Sequence, residues 1–439
     1  MSSRLLRGLV ASLSLISFTA VAQSPPADAQ QQPSDADLQD IQKALEKDQA
    51  ANSGKKDQQQ GAVQQPSPEP EQQQTTAQTV ISGIQSMNPD ISVILDVAGA
   101  YFSDPAPLQQ GGHDPTHNGF NLQQLELSFN RSVDPYFRFD SNLVFGPDGF
   151  ELEEAYATTL DLPYRLQARA GEFLTAFGRI NQTHPHSWDF VDQPFIMSRY
   201  FGGDGNRNLG AELSWLSPLP WYVELVGSAT QANGESTARS FFGPDDDARV
   251  RHFSDFQYTA ALKQFFDVTD DLSLLWGLST AQGPTPTGHA QLYGTDIYLK
   301  YRPLTGEGWT TVSLQAEAIY RIRDANLGTP ETPANFRLHD YGGYAQLFYR
   351  FEKRWGVAGR FDYGSATRFS NGKVTADELD PEWTDARERY SANLTFWPTE
   401  FSRLRLQASM DRPQWREQPV FAAFLALEVV VGAHGAHKF

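Results

Sequence analysis

The chain has 439 residues, a formal net charge of -18 and no cysteine. Because acidic residues outnumber basic ones, general basicity cannot attract nucleic acid or an anionic membrane surface. The lack of cysteine excludes a disulfide framework and a lipid-modified cysteine anchor.

Residues 1–22 are typical of a secretory signal peptide. Arg4 and Arg7 precede the apolar stretch 9–18, and the small residues at both ends of 20–22 form a cleavage site. Because the apolar stretch is short, we expect it to be removed rather than to anchor the chain. Loss of its two arginines takes the formal net charge from -18 to -20.

Residues 23–85 are predicted to be a disordered linker, because they are rich in Gln and Pro and poor in aromatic residues. Leu38, Ile41 and Leu45 recur at helical spacing, which predicts a short helix near residues 35–49. One interpretation is a transient helix within the linker. The other is a small coiled coil that helps the protein to trimerise.

Beyond the linker, apolar and polar residues alternate over long stretches. In residues 135–145, Phe137 and Phe139 share one face, while Arg138 and Asp140 share the other. Alternation with a period of two indicates β-strands that have one apolar and one polar face. No apolar run reaches the ~20 residues that a transmembrane helix needs.

Three features favour a transmembrane barrel over a soluble sandwich of strands. The predicted strands are about 10–13 residues long, against about 5–6 in soluble sheets, and about ten tilted residues cross a bilayer. Short turns alternate with mostly longer loops, of which 282–289 is one, and aromatic residues gather beside the short turns. We therefore predict an all-β fold over residues 86–439, a transmembrane antiparallel barrel of about 16 strands, within a range of about 14–18.

The longest predicted loop, residues 174–210, is unusually aromatic for a segment that faces water. Its aromatic residues include Phe177, Trp188, Phe190 and Phe195. A solvated loop does not need such residues, so we expect this loop to pack into the barrel and constrict it.

Charged residues on the polar strand faces are the candidates for the lining of the pore. Arg403 and Arg405, like Arg165 and Arg169, share a strand face and would form a basic ladder for anions. In the alternative interpretation, these arginines pair with carboxylates on facing strands and stiffen the wall. The predicted pore-lining residues are Arg138, Asp140, Arg165, Arg169, Glu172, Arg360, Arg403 and Arg405.

The sequence HPHSWD offers the best metal ligands in the chain. His184 and His186 would lie on one side of an extended segment, Asp189 could add an oxygen, and His113 and His117 could complete a site. Nitrogen and oxygen ligands suit zinc. The alternative is that the histidines form hydrogen bonds that anchor the loop to the wall.

The chain ends in Phe439, at the end of the last predicted strand. A terminal aromatic residue there resembles the signal by which outer-membrane barrels are handed to the barrel assembly machinery. We therefore interpret Phe439 as an assembly signal. His434 and His437 are interpreted as incidental, with a zinc contact as the alternative.

Three stretches carry a wider resemblance, namely RAGEFLTAFGRIN (169–181), PTEFSRLRLQ (398–407) and the tail GAHGAHKF (432–439). The first resembles the strand and inward loop of relatives of the phosphate-selective porins. The others resemble barrels labelled zinc-regulated TonB-dependent outer-membrane receptors. A TonB-dependent transporter has about 22 strands and a plug, for which this chain has too few residues.

The resemblance implies a porin in the bacterial outer membrane, a passive channel for small hydrophilic or ionic solutes. The alternative is a receptor or transporter barrel linked to zinc uptake. The expected partners are the lipid bilayer, the barrel assembly machinery and two further copies in a homotrimer, but not nucleic acid. No catalytic constellation indicates an enzyme, and no cofactor is expected apart from the zinc alternative.

Overall fold

The computed structural model describes residues 90–432, apart from 147–148, 235, 244–249, 306–307, 328–333 and 378. The predicted signal peptide, the linker with its helix near 35–49, and Phe439 lie outside the described residues. Within the described residues, no helix has the length and apolar character to cross a membrane.

Sixteen antiparallel strands close into a barrel, in which neighbours along the chain pair and the first strand also pairs with the last. A short additional strand, β14, lies in the loop between β13 and β15 and pairs with β12. The predicted fold class and the predicted number of strands are therefore confirmed. The strands are β1 (Asp90–Phe102), β2 (Gly119–Ser132), β3 (Phe137–Gly146), β4 (Gly149–Thr159), β5 (Leu166–Leu174), β6 (Arg207–Leu216), β7 (Tyr222–Thr230), β8 (Gln257–Thr269), β9 (Leu272–Thr285), β10 (Gly288–Tyr301), β11 (Thr311–Asn326), β12 (Asn335–Glu352), β13 (Trp355–Gly364), β14 (Arg368–Phe369), β15 (Arg387–Thr399), β16 (Ser402–Pro413) and β17 (Val420–Gly432).

The barrel is apolar outside and polar inside, which is the reverse of a soluble protein. In β13, Val357 and Phe361 leave 40% and 38% of their surface exposed, whereas Arg360 and Asp362 are 4% and 0% exposed. The same alternation runs along β16 and β17. An apolar exterior suits hydrocarbon, and a closed sheet leaves no unpaired strand edge at membrane depth.

The connections differ in length between the two ends of the barrel, as the sequence predicts. Residues 353–354 and 270–271 are tight turns at one end, whereas residues 103–118 and 175–206 are long loops at the other. The predicted long loop at 282–289 is wrong. Strands β9 and β10 extend further than expected and leave two residues, Pro286 and Thr287, between them.

Aromatic side chains collect at the short-turn end of the barrel. Trp355 lies 4.5 Å from Phe396 between ring centroids, and Trp221 stacks on Phe266 at 6.5 Å. Trp221 and Trp355 are 40% and 38% exposed on the outer surface. Amphipathic rings at this level are typical of the boundary between lipid and water.

Candidate functional site

Residues 175–206, which we call the inward loop, lie inside the barrel. They contain two 3-10 turns (Ile180–Gln182 and Pro185–Ser187) and one helix, α1 (Phe195–Phe201). All seven residues of α1 are buried. The loop turns at glycines in the left-handed region, with φ of 104° at Gly202 and 73° at Gly205. Residues with a side chain rarely adopt this conformation.

The aromatic residues of the inward loop account for its position. Phe177, Phe190 and Phe195 are 0%, 1% and 3% exposed, and Trp188 is 9% exposed. Phe177 and α1 pack on apolar inner-wall residues of β9 to β12, which are Ala281, Ala290, Leu292, Ile319 and Tyr344. All four aromatic residues therefore lie inside the barrel, as the sequence predicts.

Side chains of the wall satisfy backbone groups of the inward loop, which a buried loop requires. The Ile180 amide donates to Glu317 Oε1 (2.7 Å), and the Val191 amide donates to Gln407 Oε1 (2.7 Å). These two contacts tie the loop to β11 and to β16.

Two buried arginines hold the loop on the side of β13 and β15. Arg360 Nη2 lies 2.7 Å from Asp192 Oδ1, and Arg389 Nη1 lies 3.0 Å from Asp192 Oδ2. Arg389 also donates to the Gln193 carbonyl at 2.6 Å. Burial alone would raise the pKa of Asp192, but the charges of Arg389 and Arg360 lower this pKa to about 2. The carboxylate therefore stays ionised at any physiological pH.

The predicted basic ladder on β16 faces the lumen but does not line an open path. Arg403 donates to the Trp188 carbonyl (2.9 Å), and Arg405 donates to the Phe190 carbonyl (2.8 Å). Both guanidinium groups also bond Glu428 on β17. The prediction of an anion ladder is therefore wrong, because the guanidinium groups of Arg403 and Arg405 bind the inward loop. Arg360 binds the loop in the same way.

A polar cavity of about 400 Å³ lies beneath the inward loop, toward the short-turn end. Arg138 and Asp140 line it and form an ion pair of 2.7 Å. Arg169 also lines it, with Arg169 Nε 2.7 Å from Glu212 Oε1. These three residues are the predicted pore-lining positions that face this cavity.

Two predicted pore-lining residues lie elsewhere. Arg165 belongs to the turn before β5, where it has a φ of 61° and donates to the Ser217 carbonyl at 3.4 Å. Glu172 lies near the long-loop end of β5, 3.7 Å from Arg207 Nε. Arg165 is not a strand residue because β5 begins one residue after it, and Glu172 lies beside Arg207 rather than along the cavity.

Charges of both signs line the cavity, and most of its carboxylates lie on one side. Carboxylates of Glu126, Asp140 and Glu154 come from β2 to β4, whereas Arg179 and Lys300 come from the inward loop and β10. Arg179 stacks over the Tyr298 ring at 3.9 Å. A lumen with both signs across its width is consistent with the sequence, which has acids and bases on the same polar faces.

On the acidic side, two histidines of the inward loop meet carboxylates of the wall. We call this group the His–Glu cluster, made of His184, His186, Glu126, Glu153 and Glu154. His184 Nδ1 lies 3.1 Å from Glu153 Oε2, and His184 Nε2 lies 3.0 Å from Glu154 Oε2. His186 Nδ1 lies 3.1 Å from Glu126 Oε2, and the two imidazole rings stack with 5.6 Å between centroids.

A β-bulge brings two adjacent carboxylates into the cluster. Asn142 pairs with Glu154 and Leu143 with Leu152, so Glu153 is the extra residue. Regular alternation would turn one of the two acids toward lipid, but the bulge lets both face inward. Glu153 and Glu154 are each 5% exposed. Sequence reasoning missed Glu126 and Glu154, although the adjacent acids in the segment ELEE were a visible break in the alternation.

Carboxylates raise the pKa of two histidines at this site, His184 and His113. Burial alone would lower the pKa of His184, but the charges of Glu153 and Glu126 raise this pKa well above its ordinary value. His113, from the first long loop, lies 3.6 Å from Glu153 Oε1. Its hydrogen bond with Glu153 and the nearby acidic charges outweigh burial and raise the pKa of His113 to about 9.

The other predicted metal ligands are not part of this cluster. Asp189 reaches the opposite side of the cavity, where its Oδ2 accepts a hydrogen bond from Gln346 (3.1 Å). The grouping of Asp189 with the two histidines is therefore wrong, because Asp189 bonds β12 whereas the histidines meet β2 and β4. His117 is exposed, and its Nε2 lies 3.1 Å from the Phe120 carbonyl oxygen.

Comparisons with known proteins place the chain in a family and its fold among outer-membrane barrels. No family model matches the chain. A protein of Aquifex aeolicus (strain VF5), described as an uncharacterized protein, is 32% identical over 384 residues, or 80% of each chain. The chain belongs to the same family as this Aquifex protein.

Among solved structures, the outer-membrane channel DcaP of Acinetobacter baumannii has a TM-score of 0.52. It is 11% identical, and the match covers 78% of this chain and 97% of that one. An anion-selective porin from Comamonas acidovorans matches with a TM-score of 0.49, 10% identity, and coverage of 78% and 99%. The closed barrel of 16 strands and its likeness to DcaP show a porin-like outer-membrane barrel, and the predicted location in the outer membrane is confirmed.

Proposed function

We propose that the protein is an outer-membrane channel through which small hydrophilic or ionic solutes diffuse, constricted by the inward loop. The observation that carries this proposal is the charged cavity of about 400 Å³ inside a barrel with an apolar exterior. Charges that line a lumen select and conduct ions without any covalent step. The likeness of the fold to DcaP, an outer-membrane channel, supports the same function.

The inward loop should keep the conductance low. It contacts β9 to β12 through Phe177 and α1, β13 and β15 through Asp192, and β2 to β4 through the His–Glu cluster. Ions must therefore pass close to the loop or displace part of it.

Conductance of the mature protein in planar lipid bilayers tests this function. We expect small, ohmic current steps, and steps several-fold larger when residues 179–201 are replaced by a short Gly-Ser linker. A matched control is a Gly-Ser replacement of 370–373, in the loop between β14 and β15. Resistance to unfolding in cold detergent shows that each barrel is folded. If the folded wild-type barrel and the folded loop replacement both carry no current, the channel proposal is wrong.

We also propose that the channel is a homotrimer delivered by the barrel assembly machinery. Small outward residues form a shallow concave surface on β6 to β9, lined by Ala211, Gly227, Ala229, Ala260 and Thr280. Such a surface lets two barrel walls approach closely, as small residues do at other membrane interfaces. Light scattering of the detergent-solubilised protein, before and after Gly227→Leu, measures the expected loss of trimer.

A receptor or transporter barrel linked to metal uptake is the second candidate function. The observation that favours it is the His–Glu cluster beside the cavity. Such a barrel would bind metal tightly and conduct little current, so the bilayer experiment separates the two functions.

A further inference from the structure

We propose that Glu126, Glu153 and His184 bind a divalent transition-metal ion where the inward loop meets the wall. One ligand atom from each of these residues lies within 4.8 Å of the other two. The three residues come from β2, β4 and the inward loop, so the fold gathers them from distant parts of the chain. The proposal does not depend on whether the barrel conducts ions.

The donor atoms define the class of metal. Two carboxylates and one imidazole suit zinc and its neighbours cobalt and nickel, because these ions accept both nitrogen and oxygen ligands. Calcium and magnesium prefer oxygen ligands alone. The chain has no cysteine, so a sulfur-rich site for softer metals is excluded.

The site has the outer partners that metal-bound residues commonly have. If His184 binds through Nδ1, beside Glu153 Oε2, its Nε2 can donate to Glu154 Oε2, 3.0 Å away. A carboxylate behind a metal-bound imidazole fixes its orientation and increases its basicity. His186 Nδ1 lies 3.1 Å from Glu126 Oε2, where a hydrogen bond from the imidazole would orient the Glu126 carboxylate.

The site is enclosed but accessible. Glu126 and Glu153 are 1% and 5% exposed, so water competes weakly for the ion. Glu126, His184 and His186 also line the cavity of about 400 Å³, which provides an entry path. A metal bound here would cross-link the inward loop to β2 and β4.

Titration of Zn²⁺ into the full-length mature protein in detergent, free of chelator, tests the site. We expect one tight ion per chain. His184→Gln and Glu153→Gln should each raise the dissociation constant more than about 100-fold, since each removes a ligand. Glu154→Gln removes only the outer partner and should raise it about 10–100-fold.

Two controls separate this site from adventitious histidines. His289→Gln, at an exposed position outside the cluster, should leave the affinity unchanged. The double variant His434→Gln/His437→Gln should also leave it unchanged. If the double variant alone abolishes binding, the terminal histidines hold the metal and the proposal is wrong.

A measurement on the wild-type protein guards against variants that fail to fold. Zinc-edge anomalous diffraction should place the ion within bonding distance of Glu153 and His184. An ion found elsewhere, or wild-type affinity no greater than that of folded His184→Gln, would mean that the cluster is only a set of carboxylate–imidazole ion pairs. Neither of these two outcomes would change the expected conductance of the barrel. The metal-site proposal can therefore fail while the channel proposal stands.

Discussion

The inward loop is held to the barrel in two chemically different ways. On the side of β13 to β16, guanidinium groups bond loop carbonyls and Asp192 in a fully buried setting. On the side of β2 to β4, imidazoles meet carboxylates beside a cavity. Arginine stays charged at every relevant pH, whereas histidine gains or loses a proton and binds metals. We therefore expect the first side to be a permanent attachment and the second side to respond to its surroundings.

The largest effect should come from the permanent side. Arg389→Ala leaves Asp192 and Asp362 without one of the guanidinium groups that compensate them in a buried site. Removal of one partner from a buried ion pair costs about 3–5 kcal/mol. Urea unfolding in lipid vesicles measures this loss.

A more exposed pair of the same chemistry, in the lining of the cavity, provides the control. Arg138→Ala removes a guanidinium group that pairs with Asp140 but is 46% exposed. Exposed pairs contribute about 1 kcal/mol or less. Equal losses in the two variants would show that Arg389 does not anchor the loop.

An intermediate effect is expected where the loop leaves α1. Gly202 has a φ of 104°, and an added Cβ would lie 2.2 Å from the Ser236 carbonyl oxygen. Gly202→Ala should therefore destabilise the loop by about 1–3 kcal/mol and accelerate its proteolysis. Gly359→Ala is the control, because nothing lies within 4 Å of its added Cβ. Comparable proteolysis of the two variants would contradict the tight turn.

The smallest effect should be a pH dependence in the first long loop, where Asp114 packs beside the Asp192 attachment. Asp114, in the first long loop, accepts hydrogen bonds from the amides of Gly111 (3.0 Å) and Gln193 (2.8 Å). Burial and then the charge of Asp192 raise the pKa of Asp114 from 3.8 to about 6, against the opposing effect of Arg389. The folded state thus favours the protonated carboxyl. Docking of this loop should be strongest below pH 3.8 and should weaken as the pH rises through about 6.

Spin labelling measures that dependence directly. The chain has no cysteine, so Gln110→Cys provides a single attachment point on the exposed part of the same loop. The label should become more mobile between pH 4 and pH 7, and Asp114→Asn should remove most of the change. An unchanged pH profile in Asp114→Asn would assign the effect to another group.

The sequence predicted the wall well because the wall follows a local rule. Each side chain of a strand faces either lipid or lumen, so the alternation of Phe137, Arg138 and Phe139 already indicates a strand between two environments. The aromatic residues of the inward loop likewise had no reason to face water. Both inferences rest on the chemistry of neighbouring residues alone.

The candidate site was harder to predict because its contacts join distant segments. Arg405 bonds the carbonyl of Phe190, which precedes it by 215 residues, and no local sequence pattern predicts that contact. Glu153 and Glu154 face the same side only because of a bulge. Asp189 looked like a ligand from its spacing, but the direction of its side chain depends on how the whole loop enters the barrel.

The pairing of the first strand with the last has a consequence for biogenesis. Ser92 to Phe102 align with Ala422 to Gly432, so the two ends of the described chain complete one another's hydrogen bonds. The seam cannot form until the final strand has been made and delivered. Such a distant pairing makes folding slow and leaves strand edges open for a long time. The chain therefore needs protection from aggregation on its way to the membrane, and loss of even the last strand should prevent closure altogether.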